Sequence, residues 1–256
     1  VANVRTLALV DIDDRLRPYE VVDGVAIVPV YGLLVDHLGW IGSTWITGYD
    51  GIRLMLSRAL ADPQVSAIAL LINSPGGHSN GLFELCDWAM DAKAAAGKPV
   101  AAICASMAYS AAYAIAVVAD SISVPKMGGV GSIGVYRIHI DLTRAIDKAG
   151  VTPTIVQSGA HKTDGNPLQP LPEAVRADWQ ATVDDCRTVF AETVAAGRAA
   201  AVARRGMTLD VAAVLATEGR CFDGRADTAR AVVLGLADAV LSPDQAFQAL
   251  VKFTGN

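Results

Sequence analysis

The sequence has 256 residues, 52% of them hydrophobic and 18% charged, which is enough for one sizeable core or two modest ones and excludes a disordered chain. A formal net charge of −5 leaves no basic footprint, so nucleic acid is set aside as a partner. Cys86, Cys104, Cys186 and Cys221 lie in apolar periodic segments without metal-ligand spacing. They read as buried free thiols of a reducing, cytoplasmic compartment, and neither metal nor cofactor is expected.

Residues 1–20 are mixed and charged and suggest no definite structure. No charged-then-apolar signal opens the sequence, and Val1 in place of Met suggests a processed or trimmed chain. Val21 to Val35 is β-branched with Gly punctuation and reads as one or two strands. Residues 36–47, with Trp40 and Trp45, read as a loop over a partner or a substrate groove. Asp50 to Ala61 has helical apolar spacing, whereas Val65 to Ile72 is near-continuously apolar, as in a strand covered on both faces. After NSPGG (73–77) the pattern continues: helix 81–96, strand 100–104, helix 108–119, strand 121–124. Strands alternating with helices predict an α/β fold with a mostly parallel sheet.

GGVGSIG (128–134) is a Gly-rich loop without the Lys-Ser/Thr ending of a P-loop, and it reads as backbone passing close to another chain or peptide. A short helix at 142–149 and a strand at 152–157 precede a polar loop, 158–170, that carries Lys162. Pro172 and Glu173 open a long amphipathic helix. A helical piece at 210–215 and a Gly-marked closing unit at 219–240 give a helical C-terminal part. The predicted organisation is an N-terminal segment at 1–20, one domain at 21–243 and a tail at 244–256.

The stretch PVAAICASMAYSAAYAIAVVAD (99–120) carries no charge between Val100 and Ala119. Its Ala and Ser content is too weakly apolar for a membrane span. Ser110 sits where a strand gives way to a helix, a turn at which a hydroxyl can act with backbone N–H groups close by. The bland alternative is a helix serine bonded to a nearby carbonyl.

Six pieces in order resemble the signal peptide peptidase A family of Ser-Lys peptidases, and within it the phage-type branch that includes capsid maturation proteases. They are VAIVPVYG (25–32), INSPGG (72–77), SMAYSAAYAIA (106–116), GGVGSIGV (128–135), SGAHKTDGNP (158–167) and EGRCFDGRADTARAVVLGLAD (218–238). The resemblance implies a Clp protease/crotonase-like fold of repeated β-β-α units. It implies Ser110 as nucleophile and Lys162, 52 residues on, as general base, with Gly76, Gly77 and Ala111 as oxyanion-hole candidates. His78, Met107, Ser132 and His161 are candidate substrate-binding residues. It further implies scaffold or capsid proteins as substrates, in the host cytoplasm or procapsid, and a homo-oligomer with active sites at subunit interfaces. SAAY in place of the SGGY usual in cellular members, and the lack of a membrane anchor in this chain, weaken signal-peptide degradation as the role.

The chemistry is coherent by itself. A serine hydroxyl attacks only as a base takes its proton, and lysine is such a base only when neutral, which takes burial in an apolar or intersubunit pocket. Lys162 is one of six lysines beside fifteen arginines, in a loop, where function concentrates. Ser106-Met107 offers a competing Clp-like nucleophile, with His161 or His139 as base. Two other classes stay open: an acyl-CoA enzyme on the same fold, for which Glu84 and Asp87 are the nearest carboxylates, and a catalytically silent shell component.

Overall fold

The computed structural model describes residues 17–38 and 45–255. In chain order the elements are β1 (Glu20–Val22), β2 (Val25–Val35), β3 (Ile46–Gly48), α1 (Tyr49–Ala61), β4 (Ala67–Gly77), α2 (Leu82–Ala96), β5 (Val100–Tyr109), α3 (Ala111–Ala116), β6 (Ser121–Val124) and β7 (Gly129–Gly131). There follow α4 (Thr143–Lys148), α5 (Glu173–Ala203), α6 (Val211–Leu215), β8 (Cys221–Asp223), α7 (Gly224–Val233), β9 (Ala239–Val240) and α8 (Pro243–Phe253). Two compact units divide them: Val135–Thr188 forms one, and the rest of the chain the other.

The larger unit holds the sheet, in the order β1-β2-β4-β5-β6-β9, with β3 beside β2 and a β7-β8 pair beside β5. The β2-β4, β4-β5, β5-β6 and β6-β9 pairs are parallel; β1-β2 and β7-β8 are antiparallel. The protein is therefore a mixed α/β fold with a mostly parallel sheet. The unbroken apolar run of β4 follows from coverage on both faces. Ile68, Leu70 and Ile72 enter the main core with α1, α2 and α3, while Ala67 and Ala69 join a second cluster with Ala246, Leu250 and Val251 of α8.

Several elements differ from the sequence reading. Residues 244–253, read as tail, lie in α8, whose start carries a Ser242/Gln245 capping box and Pro243 in the first turn. The predicted helix 108–119 is shorter, and β5 runs on to Tyr109. Its end is paired on both sides, by Ser74 with Ala108 and by β7 with Met107 to Tyr109, so ladder hydrogen bonds prevail over the helix preference of alanine. For the same reason the Gly-rich loop contains a strand, and its backbone neighbours are β5 and β8 of this chain. Residues 152–157 form no strand; Val156 is exposed. Trp40 lies outside the described residues, whereas Trp45 is exposed and its carbonyl accepts from the Leu33 N–H at 2.8 Å. Cys86 and Cys104 are buried as expected, but Cys186 and Cys221 are only half-buried.

A wholly buried arginine ties the C-terminal half of α5 to the sheet. Arg198 Nε donates to the Gly235 carbonyl at 2.9 Å, and its two terminal nitrogens donate to the Asp238 carboxylate at 2.9 and 2.8 Å. Asp238 also accepts from the Ile122 N–H of β6 at 2.7 Å. Satisfying every charge in this way is what makes such burial tolerable.

Candidate active site

The site is built at the C-terminal ends of β4 and β5, where open parallel sheets form their binding crevices. Ser110 is the single residue between β5 and α3, with φ 52° and ψ −125°. A positive φ in a residue with a β-carbon costs on the order of 1–3 kcal/mol and persists only where its surroundings impose it. Here the Ser110 N–H donates to the Gly131 carbonyl of β7 at 2.9 Å, and the Ser110 carbonyl accepts from Tyr113 and Ala114 at 2.8 and 3.1 Å. The turn thus leaves the regular strand conformation while its backbone stays bonded on both sides. The Ala111 N–H opens α3 and has no intrahelical acceptor by position.

Gly76 closes on this turn from β4. A β-carbon added to Gly76, at φ 105°, would stand 2.6 Å from Ser110 Cβ, 2.8 Å from the Tyr109 carbonyl and 3.0 Å from the Ala111 nitrogen. Only glycine allows that approach. The Gly76 N–H, however, donates to Ser74 Oγ at 3.0 Å, and Ser74, wholly buried, passes its own proton to the Gly32 carbonyl of β2 at 2.6 Å. Sequence reading singles out the two glycines and passes over Ser74; a hydroxyl two residues before the first glycine of INSPGG is the signal that marks it. Gly77 lies against the Leu34 backbone, where an added β-carbon would meet the carbonyl oxygen at 1.8 Å. The structure therefore brings Ser110, Ala111 and Gly76 together, with Gly77 next in the chain.

The remaining sequence candidates of this unit lie on or beside β4, β5, β7 and α2. The His78 N–H donates to the Leu34 carbonyl at 2.9 Å, and its own carbonyl accepts from Tyr49 Oη. Met107 is half-buried on β5 and pairs with Gly129. Ser132, at φ 55°, donates its N–H to the Arg220 carbonyl at 2.9 Å just beyond β7. Ser106 is exposed on β5, where the register with β4 shifts, and it lacks the positive-φ turn that distinguishes Ser110. Tyr109, the residue before Ser110, places Oη 3.3 Å from Asp223 Oδ2; burial, reinforced by that carboxylate, pushes its hydroxyl up to about 12, so it is neutral. Ala108 and Ala112 are packed in the main core, and Glu84 and Asp87 are exposed on α2.

Lys162 and His161 belong to the smaller unit. Both side chains are exposed on a turn in which the Lys162 N–H donates to the Gly159 carbonyl at 3.2 Å. His161 Nδ1 lies 2.8 Å from Asp164 Oδ2, and His139 Nε2 lies 3.0 Å from the Asn166 carbonyl. Among the described residues, no group of three or more His, Cys, Asp or Glu could hold a metal ion, and no helix is long and apolar enough to cross a membrane.

Sheet and turn together define a mixed α/β protein with a positive-φ serine at the strand ends as its candidate site. The chain belongs to Peptidase family S49, whose family model matches residues 92–254. Over 235 residues, 91% of this chain and 44% of the other, it is 38% identical to the Head-tail preconnector protein GP5 of Enterobacteria phage P21. It is 36% identical to the Capsid assembly protease C of Escherichia phage lambda over 245 residues, 94% of this chain and 52% of that protein. With Protease 4 of Haemophilus influenzae it shares 30% identity over 190 residues. The chain spans about half the length of the two phage relatives.

Proposed function

We propose that this chain is the peptidase part of a phage or prophage head maturation protease that cuts scaffold or capsid proteins with a Ser110–Lys162 dyad. The observation that carries the reading is the Ser110 turn, whose left-handed φ is held by Gly131, Tyr113 and Ala114 and closed by Gly76. Strain kept at one half-buried serine, in a chain of Peptidase family S49, supports a nucleophile. Lys162, exposed on the polar loop of the smaller unit, takes the Ser110 proton during attack once a subunit interface buries it, and returns that proton to the leaving amine. The tetrahedral oxyanion is received by the Ala111 N–H and by Gly77, because the Gly76 N–H is already given to Ser74. Residues 21–243 act as one peptidase domain on repeated β-β-α units of the Clp/crotonase kind, without metal or cofactor.

The names of the two phage relatives, a preconnector and a capsid assembly protease, support structural head proteins as substrates and the host cytoplasm or procapsid as the place of action. The same reading makes the active form a homo-oligomer with sites at subunit interfaces, so that specific activity falls on dilution. The test is digestion of casein and of a co-expressed scaffold protein by wild type, Ser110→Ala, Lys162→Ala and Ser106→Ala. Loss of cleavage in the first two variants, with native circular dichroism, is the expected result. Cleavage by Ser110→Ala together with inert Ser106→Ala would transfer the role to Ser106.

A further inference from the structure

In the smaller unit, aromatic and polar groups pack against the loop that carries Lys162. Trp179, on the second turn of α5, is its centre. Gly165, at φ 74°, lies against the indole so closely that an added β-carbon would stand 2.1 Å from Cζ2 and 2.4 Å from Cη2. The Arg137 guanidinium sits over the same ring, 3.8 Å from its centroid, at cation–π distance. His139 meets the ring edge-on at 6.4 Å and holds the Asn166 carbonyl at 3.0 Å.

The span from Lys162 to this anchor is short and internally bonded. Asp164 donates to the His161 carbonyl at 3.3 Å, and the Asn166 backbone and side-chain amides both donate to the Thr163 carbonyl, at 3.1 and 2.6 Å. Asn166 Oδ1 accepts from the Leu168 N–H at 3.0 Å, and the Pro167 carbonyl accepts from the Leu142 N–H at 2.9 Å. Residues 161–166 are thus linked turn to turn, and Lys162 stands three residues from the point where Gly165 meets the indole.

We propose that Trp179 is a positioning residue for the base: clasped by Gly165, Arg137 and His139, it sets where the Lys162 backbone stands. The proposal rests on the Ser110–Lys162 reading. A tryptophan that only fills the interior of the unit would, when trimmed, lower stability without a selective loss of the chemical step.

The experiment measures kcat and KM on fluorescein-labelled casein for the full chain as wild type, Trp179→Ala, Trp179→Phe and Gly165→Ala, with Lys162→Ala alongside. Displacing a catalytic group by about 1 Å costs about 100-fold, so Trp179→Ala is expected to lower kcat to that extent with KM within about 3-fold, and Trp179→Phe to recover most of it. Hydrogen exchange of amides 159–166 is expected to speed up in Trp179→Ala and to stay as in wild type in Lys162→Ala. The proposal is overturned if Trp179→Ala keeps kcat within about 3-fold, if its loss lies in KM, or if Trp179→Phe is no better than Trp179→Ala. Should Trp179→Ala fail to fold, Gly165→Ala decides: a comparable fall in kcat with native circular dichroism supports the proposal, and wild-type kcat overturns it. Wild-type activity in Lys162→Ala would instead remove the dyad reading itself, a separate result from the Trp179 series.

Discussion

The Ser110 turn and the Lys162 loop are built by opposite means. The turn is over-determined: buried α3 on one side, β7 bonded to its amide on the other, and Gly76 pressed on its β-carbon. That much constraint can hold a conformation the residue would not choose alone. The loop is exposed and bonded mainly to itself, with Trp179, His139 and the Leu142 N–H among its ties. A nucleophile can thus be placed by a fold core, whereas a base on a surface loop depends on a few local contacts, and the two should respond differently to substitution.

The largest expected effect tests the strain directly. Ser110→Gly should reduce casein cleavage by at least about 10³-fold while raising the denaturation midpoint by an amount worth about 1 kcal/mol, because glycine accepts φ 52° without penalty. Unchanged or lower stability would mean that the turn is not strained. Lys162→Ala should lose a comparable factor in activity, with melting temperature unmoved, as befits an exposed side chain. A clear drop in melting temperature would contradict the contrast drawn between the two regions.

Gly76→Ala should combine both responses, losing about 100-fold in rate and about 2 kcal/mol in stability as its methyl forces β4 away from Ser110. Arg198→Ala should cost about 3 kcal/mol in chemical denaturation by leaving Asp238 without its partner, yet keep the activity per folded molecule, since the pair lies outside the proposed site. The smallest effect is a difference of labelling rates. Burial pushes the Cys104 thiol of β5 up to about 12, so at pH 8 it stays protonated and should alkylate more slowly than half-buried Cys186 of the smaller unit. Equal rates in the native protein would show that the strand below Ser110 opens as readily as the loop-bearing unit.

Much of the fold could be read from local patterns because the relevant interactions are short-range or two-sided. The apolar run of β4 reads as a doubly covered strand, and main core and α8 lie on its two faces. The spacing of α1, α2 and the start of α5 is legible as periodicity. That Ser110 lies near a strand-to-helix join could be read, but not that β5 runs on to Tyr109 and leaves the join one residue wide. What could not be read is pairing at a distance: that the Gly-rich segment would become β7 depends on partners in β5 and on β8, some ninety residues later. Thr152 to Gln157 has the β-branched composition of a strand, but composition supplies no neighbour to bond, and none of it forms a ladder.

Composition and periodicity by themselves determined the α/β class and the mostly parallel sheet, because burial and hydrogen bonding leave few ways to satisfy those patterns, whereas the short list of candidate site residues came from the resemblance of the ordered motifs to a family. Tertiary structure alone decided that Ser110 bears a positive φ, that Ser74 takes the Gly76 amide, and that Trp179 stands against the Lys162 loop. The first and the last are a conformation and a contact imposed by separate elements, and the Ser74 hydroxyl is aimed by its bond to Gly32 of β2, so no single stretch of sequence contains the energy that selects them.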